Sequence, residues 1–373
     1  MSKINFSQHV LNVFASHNTT HEQISQLMTD VALGREIYDE ATGRVISKAE
    51  ANQKIYNFSL EVLGIDKNDS RKDIRRAFRD HGREFFDIIE DSINEVTSVW
   101  FGNEPWFEDL VETKNINNGD RQDFLIENDA ILAVAKAGVS HHDHILQRIG
   151  KGERKSIPTS LFVVKIGEDI NKYVLGQTDW SKMVEAISKA YIRQIQEMVY
   201  SQVSVISSQL PAAVIGTGAL TGHKDDFDAI IEKVSAANDG AEVIVMGTKI
   251  ALKKITALAD VNWGAKDQRD AMMMTGTLGI YEGTRLVEIP QRYKDKSLAD
   301  SAKLMSDKKL LFLAVGNGDK PIKFVDEGDS IITEVTERGE AGGRWDDLMS
   351  YEVQRKMGAG VVVGRVMGEW TLP

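Results

Sequence analysis

The stretch from Thr178 to Leu210 constrains the fold most, because its apolar residues recur at helical spacing along its whole length. Thr178 or Asp179 can cap the first turn, and Pro211 disfavours helical geometry at the residue before it. We predict one helix of about 45 Å, much longer than an average helix of three turns. It is either a core helix of an ordinary α/β domain or a rod that sets the length of the subunit. The apolar residues are Trp180, Met183, Val184, Ile187, Tyr191, Ile195, Met198, Val199, Val203 and Ile206.

Composition excludes several function classes. The chain has 373 residues and a net charge of −11, and it shows no dominant basic stripe of the kind a sequence-reading nucleic-acid binder carries. Any enclosed DNA would therefore be held by geometry and not by affinity. The absence of cysteine excludes disulfides, cysteine-ligated zinc and thiol catalysis. No apolar run is long enough for a membrane span, and no secretory signal is present, so we expect a protein of the reducing cytoplasm or of a particle assembled there.

Periodicity and turn residues divide the rest of the chain. Residues 1–70 are polar and loosely patterned, and we interpret them as an extended arm whose helical pieces need partners. Within the arm, Ser47 and Glu50 form a capping-box pattern and Gly64 ends the helix that follows. Residues 212–320 alternate helices with strands and predict a compact α/β domain. Predicted helices cover 9–14, 22–32, 47–63, 70–99, 226–237 and 249–258. Predicted strands cover 123–129, 131–139, 160–166, 242–246, 278–281, 284–289, 310–315, 322–325, 330–337, 349–354 and 360–367.

The pattern of residues 117–160 predicts a long two-stranded excursion, in which the chain runs out along one strand and returns along a second. The returning part is basic and is interrupted by glycines. A two-stranded ribbon has no core of its own and is marginal in isolation. A two-stranded ribbon of about forty residues must therefore pack against another surface, and a neighbouring subunit is the natural candidate. We therefore expect inter-subunit contacts from the charged residues of this excursion, which are His141, His142, His144, Arg148, Lys151, Arg154 and Lys155.

Three other patterns have competing interpretations. The histidine cluster in HHDH can hold a metal, titrate near neutral pH, or lie exposed at a subunit contact; we favour the contact, because a closed metal site needs a second, spaced ligand pair. The glycines between Gly216 and Gly222 read GxGxxxG and follow no clear strand, so a flexible loop is favoured over a dinucleotide site. Six basic residues between Arg71 and Arg83 form a solvated face or a positive strip for an acidic neighbour or nucleic acid. We predict no catalytic, cofactor or metal site.

The order of these parts resembles the HK97-type fold of tailed-bacteriophage major capsid proteins. The most similar stretches are EVIVMGTKIALKKI, TGTLGIYEGTRLVEIPQ and GAGVVVGRVMGEW, which begin at residues 242, 275 and 358. The resemblance implies an α+β fold with an N-terminal arm (1–70), peripheral-domain helices (71–116), an E-loop β-hairpin (117–160), a peripheral strand and spine helix (161–211), an axial domain (212–320) and return strands of the peripheral domain (321–373).

The resemblance also implies a function. The subunit would self-assemble as hexamers and pentamers into an icosahedral head in the host cytoplasm, enclose double-stranded DNA in the virion, and meet portal and scaffolding proteins. Each E-loop would lie on the adjoining subunit, axial domains would meet around each capsomer, and peripheral domains would meet at three-fold points. Some members cross-link an E-loop lysine, for which Lys151 or Lys155 is placed, but we expect non-covalent locking. We also expect an uncleaved arm and a separate scaffolding protein.

Two rival functions remain at this point. An encapsulin has the same fold but encloses protein cargo, and the long arm favours the phage head. A soluble α/β enzyme would use residues 212–320, and the missing phosphate loop and missing acid–base pair count against it.

Overall fold

The computed structural model describes residues 6–38, 44–66, 69–102, 104–126, 152–169, 179–256, 258, 279–293, 299, 303–315, 320–334, 348–362 and 364–373. The helices in these ranges are α1 (Gln8–Ser16), α2 (His21–Leu33), α3 (Lys48–Leu63), α4 (Arg71–Gly102), α5 (Pro105–Leu110), α6 (Trp180–Gln209), α7 (Lys224–Ala237) and α8 (Lys249–Ile255). No helix among these residues combines the length and apolarity that crossing a membrane requires.

The strands of the same ranges are β1 (Ile37–Tyr38), β2 (Val45–Ile46), β3 (Val111–Ile116), β4 (Asp123–Ile126), β5 (Glu153–Ser156), β6 (Ser160–Asp169), β7 (Ile215–Thr217), β8 (Glu242–Gly247), β9 (Ile280–Tyr281), β10 (Thr284–Glu288), β11 (Lys309–Val315), β12 (Ile322–Glu334), β13 (Leu348–Val361) and β14 (Gly368–Thr371). They form a sheet of order β7-β14-β11-β8-β10-β9, a sheet of order β3-β12-β13-β6, and the pairs β1-β2 and β4-β5. The predicted α+β class is confirmed.

The chain divides into two compact units. The first contains Met1–Asn103, Ser160–Gln196 and Glu327–Met357, and the second contains Glu104–Thr159, Glu197–Asp326 and Gly358–Pro373. The long helix was predicted correctly: Asp179 accepts a hydrogen bond from the Lys182 N–H at 2.9 Å, and α6 ends two residues before Pro211. The capping box of α3 and its left-handed glycine cap are likewise as predicted.

The helical pieces of the predicted arm find their partners within the first unit. Helices α1 to α3 are amphipathic, and they pack against one another and against α4. Phe14 of α1 lies 5.4 Å from Phe58 of α3, measured between ring centroids, and both side chains are buried. The sequence signal for helices was present, but their partner, α4, follows in the same chain and was not recognised. Strand β6 pairs antiparallel with β13 in this unit, and the Tyr191 hydroxyl of α6 donates to the Val353 carbonyl at 2.7 Å.

The second unit is built on the six-stranded sheet. Strand β8 runs parallel to β10 and antiparallel to β11, and helices α7 and α8 contribute to the same apolar core. The Trp370 indole N–H donates to the Gly218 carbonyl at 2.9 Å, and a Cβ at Gly216 would lie 2.1 Å from the indole ring. The glycine-rich loop therefore has a packing reason: its backbone must approach the tryptophan closely.

The C-terminal strands differ from the prediction. The segments predicted as 322–325 and 330–337 form the single strand β12, and the segment predicted as 349–354 lies within β13. The prediction of a strand at 360–367 is wrong over most of its length, because β13 ends at Val361 and β14 begins only at Gly368. Strand β14 lies in the six-stranded sheet between β7 and β11, and not with the return strands of the peripheral domain. Gly368 allows this placement, since a Cβ there would lie 3.0–3.1 Å from Ile230, Val234 and a backbone oxygen. The proposed domain boundaries stay predictions.

Candidate assembly surfaces

The ribbon base, formed by β4 and β5, is the described part of the predicted excursion. The two strands are antiparallel, with Phe124 opposite Lys155 and Leu125 opposite Arg154. Directly opposed residues in such a pair share a face of the ribbon. Leu125 is 59% exposed and both basic residues are exposed, so Leu125 and Arg154 present an apolar and cationic face to the outside.

The other face of the ribbon base is anchored in the second unit. Phe124 is 6% exposed and lies in a cluster with Ile157, Val325 and Val362. Burying a phenylalanine side chain stabilises by about 2–3 kcal/mol. Gly360 is needed beside this cluster, because a Cβ there would come within 3.0 Å of Ile157. The ribbon is therefore fixed at its base by apolar packing.

A buried ion pair supports the same anchor. Lys323 of β12 is 4% exposed, and its Nζ lies 2.5 Å from Glu112 Oε2 on β3 and 5.7 Å from the centroid of the Phe124 ring. Burial raises the pKa of Glu112, but hydrogen bonds and charges from Lys323 and Lys114 outweigh it and hold the pKa below its usual value. Both charges are thus compensated, as burial requires.

A polar seam along α4 stabilises the first unit. The Ser330 hydroxyl of β12 donates to Asn94 Oδ1 at 2.8 Å, and the Ile332 N–H donates to the Glu90 carboxylate. Burial raises the pKa of Glu90 to about 7, helped by the charges of nearby aspartates. The side chains of α4 thereby accept hydrogen bonds from a backbone N–H and a hydroxyl group of β12, which would otherwise be buried without a partner.

The acidic side of α4 also holds the first helices. His21 Nε2 lies 2.6 Å from Asp91 Oδ2, and this hydrogen bond raises the pKa of His21. The Ser7 hydroxyl, at the N-cap of α1, donates to Glu84 Oε2 at 2.9 Å. These contacts fix α1 and α2 on α4 in a defined register.

Comparison with known proteins identifies the family. The model of a family described as "SPbeta prophage-derived putative capsid protein YonB" matches residues 23–371, nearly the whole chain. The chain belongs to this capsid protein family. A search of curated protein sequences gives no significant match.

The solved structures that are similar to this capsid protein share little sequence identity with it. The mature capsid of bacteriophage PhiM1 is 12% identical, with a TM-score of 0.48 over 71% of this chain and 86% of that one. The capsid of cyanophage P-SCSP1u is 12% identical, with a TM-score of 0.44 over 72% and 88% of the two chains. The SrpI encapsulin of Synechococcus elongatus is 10% identical, with a TM-score of 0.38 over 71% and 86%. The family match therefore carries the assignment.

Family membership decides between the classes left open by the sequence. The prediction of a phage capsid protein is confirmed, and the soluble-enzyme alternative is wrong, because members of this family are structural proteins of the virion shell.

The predicted contact residues are only partly covered by the structure. Arg154 and Lys155 lie on β5, exposed, and neither makes an ion pair within the described ranges. His141, His142, His144, Arg148 and Lys151 lie outside the described residues, so their role as contacts stays a prediction. Among the residues that are described, no three histidine or acidic side chains are grouped to hold a metal ion.

Sequence reasoning missed the ion pair beneath the ribbon. Lys323 stands in the apolar run Ile-Lys-Phe-Val, where an alternating strand would place a lysine on the solvent side. Its partner, Glu112, is more than two hundred residues earlier in the sequence. A buried cation inside an apolar strand was the available signal, but naming the partner requires knowing that β3 and β12 are neighbours.

Proposed function

We propose that this capsid protein self-assembles as hexamers and pentamers into an icosahedral head that encloses double-stranded DNA. The family match over residues 23–371 carries the proposal. Assembly would take place in the host cytoplasm, with a portal and a scaffolding protein as partners, and the shell would hold DNA without sequence-specific contacts. The acidic balance of the chain, −11, supports enclosure by geometry.

The ribbon is proposed to lie on the adjoining subunit. Its base is fixed by Phe124 and the Lys323–Glu112 pair, while Leu125 and Arg154 face outward with no described partner in their own chain. An exposed apolar residue beside exposed cations suits a contact with an acidic neighbour. No cross-link is needed for such a contact, and we propose that the shell is locked non-covalently.

The first experiment is negative-stain microscopy of the purified chain, with nucleic-acid content read from absorbance. We expect uniform closed particles or rings of six. Particles that enclose protein cargo without nucleic acid would favour an encapsulin. A discrete monomer or dimer at high concentration would contradict the proposed assembly.

The role of the excursion has its own test. Deleting residues 139–155 should leave a folded subunit that no longer closes into shells. The variant Arg154→Ala/Lys155→Ala removes two exposed charges without removing the ribbon, and we expect it to slow assembly. The matched control Lys72→Ala/Arg76→Ala removes two exposed charges from α4. Normal particles from the deletion variant would contradict the role assigned to the excursion.

A further inference from the structure

Helix α8 presents a basic face on the second unit. Its inward residues Ala251, Leu252 and Ile255 are buried in the core of the six-stranded sheet. The remaining side chains are exposed and lie on one side of the helix, because positions four apart are neighbours on a helix surface. They are Lys249, Ile250, Lys253 and Lys254, of which the isoleucine is 54% exposed.

A fourth lysine extends this face. The Asp307 side chain is hydrogen-bonded to the side chain of Thr248, the N-cap of α8, so the exposed Lys308 that follows Asp307 lies close to the start of the helix. The nearby Asp307 does not neutralise it, since Asp307 is held by Lys303 at 2.6 Å and by the Thr248 side chain.

None of the four lysines makes an ion pair with a described residue. We call Lys249, Ile250, Lys253, Lys254 and Lys308 the basic face. Four lysines that have no ion-pair partner among the described residues, placed around one exposed apolar side chain, are unusual on a chain whose net charge is −11. The arrangement has the composition of an interface patch, with an apolar centre and a charged rim.

The same unit carries a surface of opposite charge at the start of α7. Asp225 and Asp226 occupy its first turn, and Glu282 lies beside them in the β9–β10 turn, bonded to Lys224 at 2.5 Å. Burial raises the pKa of Asp228, and the charges of Glu282 and Asp225 raise it further. Asp225, Asp228 and Glu282 thus lie around Lys224, while Asp226 bonds to His223 at 2.9 Å, so carboxylates outnumber lysines on this surface.

An exposed apolar residue adjoins this surface as well. Ile280 of the edge strand β9 is 62% exposed, two residues before Glu282. We call Asp225, Asp226, Ile280 and Glu282 the acidic face. Each face thus combines an excess of one sign of charge with one exposed isoleucine. At the acidic face Lys224 pairs with Glu282, and Arg285, which lies opposite Ile280, pairs with Asp109.

We propose that the basic face of one copy docks head-to-tail on the acidic face of the next copy in a ring. Two basic faces repel each other, as do two acidic faces, so a two-fold contact of either face with itself is disfavoured. A ring needs two different, complementary surfaces on every subunit, and this unit carries such a pair. The inference rests on the proposed function and names the residues of one of its contacts.

Charge reversal tests the pairing. We expect Lys253→Glu/Lys254→Glu to reduce the fraction of chain in rings at least about tenfold, because like charges then oppose each other across the contact. Asp225→Lys/Asp226→Lys should do the same. Combining both pairs of substitutions in one chain should restore rings to within about threefold of wild type. Ring mass is measured by mass photometry, and a urea midpoint for each variant checks the fold.

Mixing the two reversed chains gives a sharper test. Each reversed chain is complementary only to the other, so they must alternate around a ring. Rings of six can alternate, but rings of five cannot. We expect the mixture to form hexamers, and flat sheets or tubes, without closed shells, whereas the chain that carries both reversals closes normally.

The control is Lys233→Glu, which reverses an exposed lysine on α7 of the same unit but outside both faces. We expect it to assemble as wild type does, and Lys253→Glu alone to assemble several-fold less. Assembly of the lysine-reversed chain at wild-type levels would overturn the inference. So would failure of the combined chain to recover while its urea midpoint is unchanged.

Two further outcomes separate this inference from the proposed function. Wild-type rings that are lost on reversal but never close into shells would support the head-to-tail contact and contradict the proposed head. Wild-type shells that persist after reversal would contradict only the contact. If reversal of the lysines abolished binding of a DNA duplex and left assembly intact, the basic face would be a nucleic-acid surface and the inference would be wrong.

Discussion

Glu90 makes stability of the first unit depend on pH in a direction that can be calculated. Its pKa rises from an ordinary value of 4.5 to about 7 in the folded chain. Between these values the unfolded chain releases a proton that the folded chain keeps, so rising pH favours unfolding. The stabilisation is complete below pH 4.5 and is lost as the pH rises through 7.

The magnitude follows from the same shift. One pKa unit corresponds to about 1.4 kcal/mol, so the full change amounts to about 3 kcal/mol. Partial solvent contact screens the charge, and we expect about half of this value, about 1.5 kcal/mol. The variant Glu90→Gln removes the ionisation, and its amide oxygen can still accept the Ile332 N–H. It should therefore be more stable than wild type by about 1.5 kcal/mol at pH 8, and close to wild type at pH 4.5.

Urea unfolding of the full, unassembled chain at the two pH values measures this difference. Fluorescence of the buried Trp180, which packs edge-on against Phe85 at 5.0 Å, reports on the first unit. The pKa of His21 is raised by its hydrogen bond to Asp91, but His21 is present in both chains. The exposed Glu108→Gln is the control and should change stability equally at both pH values. A difference between Glu90→Gln and wild type that does not vary with pH would refute the reasoning.

Three further substitutions test the second unit. Phe124→Ala should weaken the anchoring of the ribbon base by about 3 kcal/mol and speed trypsin cleavage after Arg154, because local opening makes the backbone accessible to the protease; an unchanged cleavage rate would contradict the anchor. Lys323→Met should lower the unfolding free energy by about 3 kcal/mol, and adding Glu112→Leu should recover most of it; equal single and double variants would argue against the ion pair. Gly216→Ala should cost about 2 kcal/mol in urea unfolding, whereas Gly279→Ala, with open space around it, should cost little.

Elements with local signals were predictable from the sequence. Helix α6 has a cap at Asp179, a long apolar stripe and a proline stop, and α3 has a capping box and a glycine end. Each of these signals acts within a few residues of the element that it defines. The bounds of both helices agree with the prediction to within two residues.

Elements defined by distant partners were not predictable in the same way. Strand β14 reads as a continuation of the preceding apolar run, and only its register with β11 and β7 places it in the six-stranded sheet. The first three helices read as an arm, because the residues that bury them lie on α4. The Lys323–Glu112 pair joins two strands far apart in sequence. The periodicity of a sequence indicates which side of an element is apolar, but it does not identify the residues that cover that side.

Surfaces between copies are harder still to predict from the sequence, because neither side of such a contact is buried within one chain. Leu125, Ile250 and Ile280 are exposed apolar residues, and each has charged residues beside it. One such side chain contributes about 1–2 kcal/mol when it is covered, too little to hold two subunits together against the entropy of association. In a closed ring every copy makes each contact twice, once with each neighbour, and ring closure adds the last contact without immobilising another subunit. If the two faces dock as we propose, each contact is weak between two single copies, and closure of the ring stabilises all the contacts together.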